Sequence, residues 1–231
     1  MYSLPPHTRS FIVIPTFNEQ EETLSRVVSE LLPLPFDIIV VDDGSVPPVK
    51  LDRGPKIHVV RHAHNLGQGA SLQTGLVLAR NLGADLVVTF DADGQHRAAD
   101  IYTLVQPIID DEADIVLGSR FLERGLHNAS IVRRMLLAIA RLVNRLFTGI
   151  QLSDAHNGLR AMNRKAIALI ELKENRMAHA TEIIHQVKKH RLRFREVPVQ
   201  IVYSAYSRKK GQSLFNSIRI FFDLVLHKLF E

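Results

Sequence analysis

Two aspartates one residue apart, Asp91 and Asp93, stand directly after the run Leu86-Val87-Val88-Thr89-Phe90. Apolar and β-branched residues in that run suit a strand covered on both faces, and acids at the end of such a strand are costly unless they bind something there. On an extended chain, side chains two residues apart lean to the same side, so both carboxylates face one point. Carboxylates placed in this way can share a hard divalent cation, Mg²⁺ or Mn²⁺, with the phosphate oxygens of a ligand. The plainer alternative is a strand closed by an ordinary Asp/Gly turn through Gly94.

The elements around this pair argue for the first alternative. Residues 11–15 form a strand candidate stopped by Pro15, followed by the polar turn Thr16-Phe17-Asn18-Glu19 and a helix carrying Leu24, Val27, Val28, Leu31 and Leu32 on one side. Residues 36–41 repeat the strand signal and run into Asp42-Asp43-Gly44-Ser45, a second acidic pair at a strand end. In open parallel sheets that end is where ligands bind. A third strand over 56–60 precedes Asn65-Leu66-Gly67-Gln68-Gly69-Ala70, which opens a helix to about Leu82, and a glycine-rich helix entry can bring N–H groups close to phosphate. Gly67 and Gly69 imitate a dinucleotide fingerprint, but Leu72 replaces the third glycine and the loop follows the third strand rather than the first. A helix over 98–109 and a strand over 113–120, ending in Arg120, complete an alternation that predicts an α/β fold: a mostly parallel central sheet flanked by helices.

The second half changes character. Between Arg124 and Ser153 there is no acidic residue, while Met135, Ile139, Leu142 and Leu146 line one helical face and Arg134, Arg141 and Arg145 another. At the C-terminus Leu214, Phe215, Ile218, Phe221, Phe222, Val225, Leu226 and Leu229 cover most of a second helix. Both suit packing in a core, a homodimer or partner contact, or adsorption to an anionic membrane surface. A helix over 165–172, the segment Thr181-Glu182-Ile183-Ile184-His185, a strand over 194–201 and a basic loop at Arg208-Lys209-Lys210-Gly211 lie between them. The chain has 231 residues, a net charge of +5 and no cysteine, which excludes disulfides and thiolate metal sites. The first ten residues lack the apolar core of a secretory signal, and no apolar run approaches the roughly 18 residues of a membrane span, so a cytoplasmic protein is expected.

Taken in order, Pro15-Thr16-Phe17-Asn18-Glu19, Val41-Asp42-Asp43-Gly44-Ser45, Gly67-Gln68-Gly69-Ala70, Asp91-Ala92-Asp93-Gly94-Gln95-His96, Gly118-Ser119-Arg120, Asp154 with Asn157-Gly158-Leu159-Arg160, Val197-Pro198-Val199, and Arg208 with Gly211 and Ser213 resemble the family 2 glycosyltransferases of GT-A fold. Within that family the likeness is to the dolichyl- or polyprenyl-phosphate sugar synthases. The resemblance implies one catalytic domain over 1–231, with a nucleotide-sugar half (1–120), an acceptor half (121–211) and a C-terminal amphipathic helix (212–231). It implies that Pro15, Phe17, Glu19, Val41 and Asp43 form the pocket for the donor's base and ribose, with Ala92 beside them. Asp91, Asp93 and Gln95 would hold the metal on the diphosphate, Arg208 and Lys209 would neutralise the leaving group, and Arg120 with Arg133 or Arg134 would take the acceptor phosphate. Gly94, Asn157 and Leu214 stand where such synthases often carry leucine, serine and lysine.

The implied reaction moves one sugar from a nucleoside-diphosphate sugar (GDP-mannose or a UDP-hexose) to a polyprenyl phosphate at the cytoplasmic face of a membrane. A phosphate monoester, with a second pKa of about 6, is largely ionised at neutral pH and needs no strong base. A glycan hydroxyl would need one, with Asp154 the candidate and Glu182 behind it; His96 reads as a turn residue in preference to a donor contact. A rival from another class is a basic module that binds nucleic acid or membrane through the cluster from Lys188 to Arg195 and through Arg208-Lys209-Lys210, although the first cluster is better described as a half-exposed strand edge. No nucleic-acid partner is expected.

Overall fold

The computed structural model describes residues 4–5, 7–52, 54–122, 150, 152–175 and 178–202. Within them, β1 (Ser10–Thr16), β2 (Asp37–Asp42), β3 (Ile57–Arg61), β4 (Leu86–Thr89), β5 (Ile115–Ser119), β6 (Arg160–Asn163) and β7 (Phe194–Pro198) form one sheet in the order β3-β2-β1-β4-β6-β5-β7. Among these strands β6 alone runs against its neighbours, β4 and β5; the other pairings are parallel. The accompanying helices are α1 (Glu21–Leu31), α2 (Gln68–Asn81), α3 (Asp100–Ile109), α4 (Arg164–Leu169) and α5 (His179–Lys189).

The continuous apolar runs of β1 and β2 are explained by helices on both sheet faces. Phe11, Val13, Ile39 and Val41 pack with Leu72, Leu76 and Ala79 of α2 and with Ile183, Ile184 and Val187 of α5. Their alternates Ile12, Ile14, Ile38 and Val40 pack with Leu24, Val27, Val28 and Leu31 of α1 and with Ile101, Leu104 and Val105 of α3. Each such side chain contributes about 1.5–3 kcal/mol when fully buried. Leu32, expected on the buried face of α1, is instead an exposed residue at its C-terminal cap.

Three further expectations are corrected. Pro15 does not stop β1, which continues to Thr16. Val13 O accepts from Phe90 N–H, so residue 15 turns its nitrogen to the same side, beyond the end of β4, where no ladder bond is lost. The strand β6 was not foreseen, because four residues that include a cation give no periodic signal. The basic cluster is not one strand edge: Lys188 and Lys189 end α5, Arg191 turns the chain at φ 51°, and only Phe194 and Arg195 open β7.

Candidate active site

Because β1, β2 and β4 are parallel, the loops after them gather at one edge of the sheet. They are tied to one another. Asn18 N–H donates to Ser45 Oγ at 2.9 Å, and Asn18 Oδ1 accepts from Val46 N–H at 2.9 Å. Asp42 accepts from the N–H groups of Ser45 and Val49 and pairs with Arg61. Burial opposes its charge, but these bonds outweigh burial and hold its carboxyl below the usual range.

Asp43 reaches in the other direction. Its Oδ1 accepts from Leu66 N–H at 2.9 Å and lies 2.7 Å from His62 Nδ1, and its Oδ2 accepts from Gly67 N–H at 2.7 Å. This clamp sets the start of α2 so that Gln68 donates from Nε2 to Asp91 Oδ1 at 3.1 Å. The N–H groups of Gly69 and Ala70 are bonded to Asn175 O, at 2.9 and 3.4 Å, so this helix entry serves the chain's own packing rather than presenting those groups to phosphate.

A cavity of about 220 Å³ opens at this edge, lined by Pro15, Thr16, Phe17, Glu19, Gln68, Asp91, Ala92 and Asp93. Asp91 Oδ2 lies 3.0 Å from Nε2 of His96, a buried ring set edge-on to Phe90. His96 Nδ1 has no partner among the described residues, so it is the Nε2 N–H that reaches Asp91. The turn reading of His96 is therefore corrected: it is a buried contact of Asp91. A Cβ at Gly158 would come within 2.3 Å of Asp91 Oδ2, so any side chain there would displace this carboxylate. Burial opposes the charge of Asp91, but the bond and charge of His96, followed by the charge of Arg160, outweigh it and keep the carboxyl below its usual range. Burial and the neighbouring charge of Asp91 push Asp93 the other way, upward. Gln95 sits behind Asp93, donating its N–H to Oδ1 at 3.0 Å and its Nε2 to Oδ2 at 2.7 Å.

The opposite side of the site is built on Asp154. Arg120 grips it with Nε to Oδ2 at 2.6 Å and Nη2 to Oδ1 at 2.7 Å, and adds its own N–H to Oδ2 at 3.1 Å. Burial favours protonation of Asp154, yet the bonds and charge of Arg120 dominate and hold the carboxyl below its usual range. Glu196 of β7 fixes the loop from beneath, accepting from Ser153 N–H at 2.9 Å and Asp154 N–H at 3.1 Å.

The structure therefore brings Pro15, Phe17, Glu19, Asp91, Ala92 and Asp93 around one cavity and adds Thr16 and Gln68, which sequence reasoning did not single out. It does not bring Val41 there: that side chain is fully buried in the core. Asp43 is also buried, its oxygens taken by the loop before α2, so it shapes the pocket without lining it. Glu182 binds the N–H groups of Lys173 and Glu174, a local structural role. Arg133, Arg134, Arg208, Lys209 and both segments expected to form amphipathic helices lie outside the described residues. Among the described residues no three His, Asp or Glu side chains converge as a metal cage. Two residues that sequence reasoning left without a role support the site from behind, Glu196 through the backbone of Ser153 and Asp154 and Arg160 through its charge near Asp91; Arg160 was visible only as the last residue of the Asn157–Arg160 motif, and Glu196 as a charge in a strand-like segment.

A mostly parallel sheet carrying paired acids at its carboxyl edge, with an arginine-held carboxylate on the loop before β6, is the architecture of the GT-A glycosyltransferases with which this chain is compared. Residues 11–170 match the family described as Glycosyl transferase family 2, and the chain belongs to it. It is 31% identical over 95% of its length to 96% of the UDP-N-acetylglucosamine–dolichyl-phosphate N-acetylglucosaminyltransferase of Methanococcus voltae. It is 30% identical, over 72% of its length and 66% of the relative, to the polyprenol monophosphomannose synthase of Mycolicibacterium smegmatis. Glucosyl-3-phosphoglycerate synthase from Mycobacterium tuberculosis, crystallised with Mn²⁺, UDP-glucose and phosphoglyceric acid, shares the fold: TM-score 0.61 at 18% identity, over 87% of this chain and 74% of that one.

Proposed function

We propose that this glycosyltransferase moves one sugar, with inversion, from a nucleoside-diphosphate sugar to a polyprenyl phosphate. The observation that carries the acceptor class is the Arg120–Asp154 pair. A hydroxyl acceptor needs a base at the point of attack, and Asp154, the carboxylate the sequence offers for that role, is held ionised and weakly basic by three hydrogen bonds from one arginine. An ionised phosphate needs no base and gains from the cation. The names of the two relatives, one acting on dolichyl phosphate and one making a polyprenol phosphosugar, support the same class.

Pro15, Phe17 and Glu19 would receive the donor's nucleoside in the cavity, with Asp91 and Asp93 toward its diphosphate. The two carboxylates fit a hard divalent cation, Mg²⁺ or Mn²⁺: they face one cavity, one is held ionised, and the other is raised by its neighbour's charge, which a cation would relieve. With no third acid or imidazole converging among the described residues, oxygens of the substrate would complete the shell. Such an ion stabilises the negative charge that grows on the leaving diphosphate. The chain's own residues orient the groups: His96 and Gln68 fix Asp91, Gln95 fixes Asp93, and Asp154 aims Arg120. Arg208 and Lys209 would face the leaving group, and Arg133 or Arg134 would join Arg120 on the acceptor. The arginine-bearing amphipathic segment before Asp154 and the apolar C-terminal segment would seat the enzyme on the cytoplasmic face of the membrane. No helix among the described residues is long and apolar enough to cross a membrane.

The test is nucleoside-diphosphate release from UDP- and GDP-sugars with Mg²⁺, Mn²⁺ or EDTA, with and without polyprenyl phosphate in detergent. Metal-dependent release stimulated by the lipid is the expected result. Equal release without lipid, with transfer to a glycan hydroxyl, would overturn the acceptor assignment.

A further inference from the structure

Two of the groups that hold Arg120 are themselves set from elsewhere. Asp154 takes its Nε and Nη2, and the Phe121 ring centroid lies 5.5 Å from its Cζ, close enough for a cation–π contact. Followed back through their hydrogen bonds, both lead to Glu196 of β7. The first path is direct: Asp154 N–H donates to Glu196 Oε1 at 3.1 Å. The second runs from Phe121 N–H to Ser119 Oγ at 3.2 Å, on to Ser153 Oγ at 2.6 Å, and from Ser153 Oγ to Glu196 Oε1 at 2.8 Å. Its direction follows from the donors available. Each serine hydroxyl has one proton, and Ser153 gives its proton to a carboxylate oxygen, so Ser119 must donate to Ser153 and keep its lone pairs for Phe121 N–H. Every proton on the path therefore points toward Glu196, and bonds aligned in this way strengthen one another.

Both paths run through residues removed from water. Ser119 is fully buried and Asp154 nearly so, which keeps solvent from competing for the bonds. The paths also join three separate parts of the fold: the end of β5 with Ser119, the loop before β6 with Ser153 and Asp154, and β7, which pairs with β5 so that Glu196 stands opposite Leu117. Arginine has a long side chain, and ordering it only when a ligand arrives weakens binding. We propose that Glu196 is the positioning residue of the acceptor site, holding Asp154 and Phe121 so that Arg120 is ordered before the acceptor phosphate arrives. This rests on the function proposed above, in which Arg120 takes that phosphate. Glu196 need not touch the substrate: it acts through two groups in contact with Arg120, whose planar fork then meets the phosphate oxygens in a fixed direction.

Calorimetric titration of the full chain with farnesyl phosphate, and separately with Mn²⁺ and UDP or GDP, tests this. Glu196→Ala is expected to weaken farnesyl phosphate binding about tenfold, with nucleotide and Mn²⁺ affinities unchanged within about threefold. Glu196→Gln, whose Oε1 can still accept from Ser153 Oγ and Asp154 N–H, should restore binding to within about threefold of the wild type. In an Arg120→Ala background the Glu196→Ala change should cost nothing more, because a positioning residue has no effect once the group it positions is gone. Additive losses would show that Glu196 acts by another route and overturn the inference. Parallel loss of nucleotide and acceptor binding would show a structural role and overturn it as well. Ser119→Ala cuts the longer path alone and should cost about threefold; it carries the test if Glu196→Ala does not fold. Unchanged farnesyl phosphate binding in both alanine variants would overturn the inference and leave the proposed function intact, whereas a wild-type chain that binds no farnesyl phosphate would overturn the acceptor class and the inference built on it.

Discussion

Asp91 and Asp93 are chemically identical, and their surroundings drive them apart. Asp91 has His96 on one oxygen, Gln68 on the other and Gly158 pressed against it, while Asp93 is bonded by Gln95 and feels the like charges of Asp91 and Glu19. Asp91→Ala and Asp93→Ala are each expected to lower transfer about a thousandfold or more with the fold intact, checked by product formation and circular dichroism. Asp154 makes a sharper prediction. As the group that aims Arg120, its replacement by asparagine should raise the acceptor KM about tenfold, keep kcat within about tenfold, and leave the acid limb of the pH–rate profile in place. Loss of a general base would instead cost 10²- to 10⁴-fold in kcat and abolish that limb. The DxD pair was legible because both acids follow one strand. The role of Asp154 was not, because its partner lies 34 residues away and both readings suit a lone acid.

At the level of elements, the close seating of α2 on β1 sets the cavity, since α2 begins with Gln68 and β1 ends in Pro15 and Thr16. Gly75 permits that approach: a Cβ there would come within 2.2 Å of Val13 Cγ1. Gly75→Ala is therefore expected to lower stability by about 1–2 kcal/mol, an overpacking cost of about 1–3 partly offset by the better helix propensity of alanine. Urea unfolding checks this. The double variant with Val13→Ala should be less destabilised than the sum of the two single variants by about 1 kcal/mol, since the second change removes the clash created by the first. Sequence periodicity located β1, β2, β3 and β4 to within a residue or two and showed the apolar face of α1, because each is a local run with one or two buried faces. It missed β6, whose four residues become a strand only because β4 and β5 flank them.

Across the whole molecule, Asp114 joins the half of the sheet that holds Asp154 and Arg160. It accepts from Arg193 N–H at 2.9 Å, Arg193 Nη2 at 3.1 Å, Lys165 Nζ at 3.0 Å and Asn163 Nδ2 at 3.1 Å, linking β5, β6, α4 and the start of β7. Burial opposes its charge, but these bonds outweigh it and hold the carboxyl well below the usual range. A carboxylate whose pKa is lowered by folding adds stability above its unfolded pKa and loses it as pH falls toward the folded value. Asp114→Ala should accordingly cost about 2–4 kcal/mol at pH 7, with the gap to the wild type narrowing below about pH 4, as read from urea midpoints across pH. By itself the sequence determined the layered α/β class, the strand that leads into Asp91 and Asp93, and the sheet edge at which they lie, since all three follow from patterns within a few consecutive residues. Tertiary structure alone decided that Val41 lies in the core, that Asp43 serves its own loop, that Arg120 grips Asp154 and that Arg160 is buried beside them. Those outcomes depend on which side chains meet across tens of residues, as when Thr89 donates to Gly158 O, 69 positions away. Local pattern records what a residue prefers, and only the folded sheet sets its partner and its distance from water.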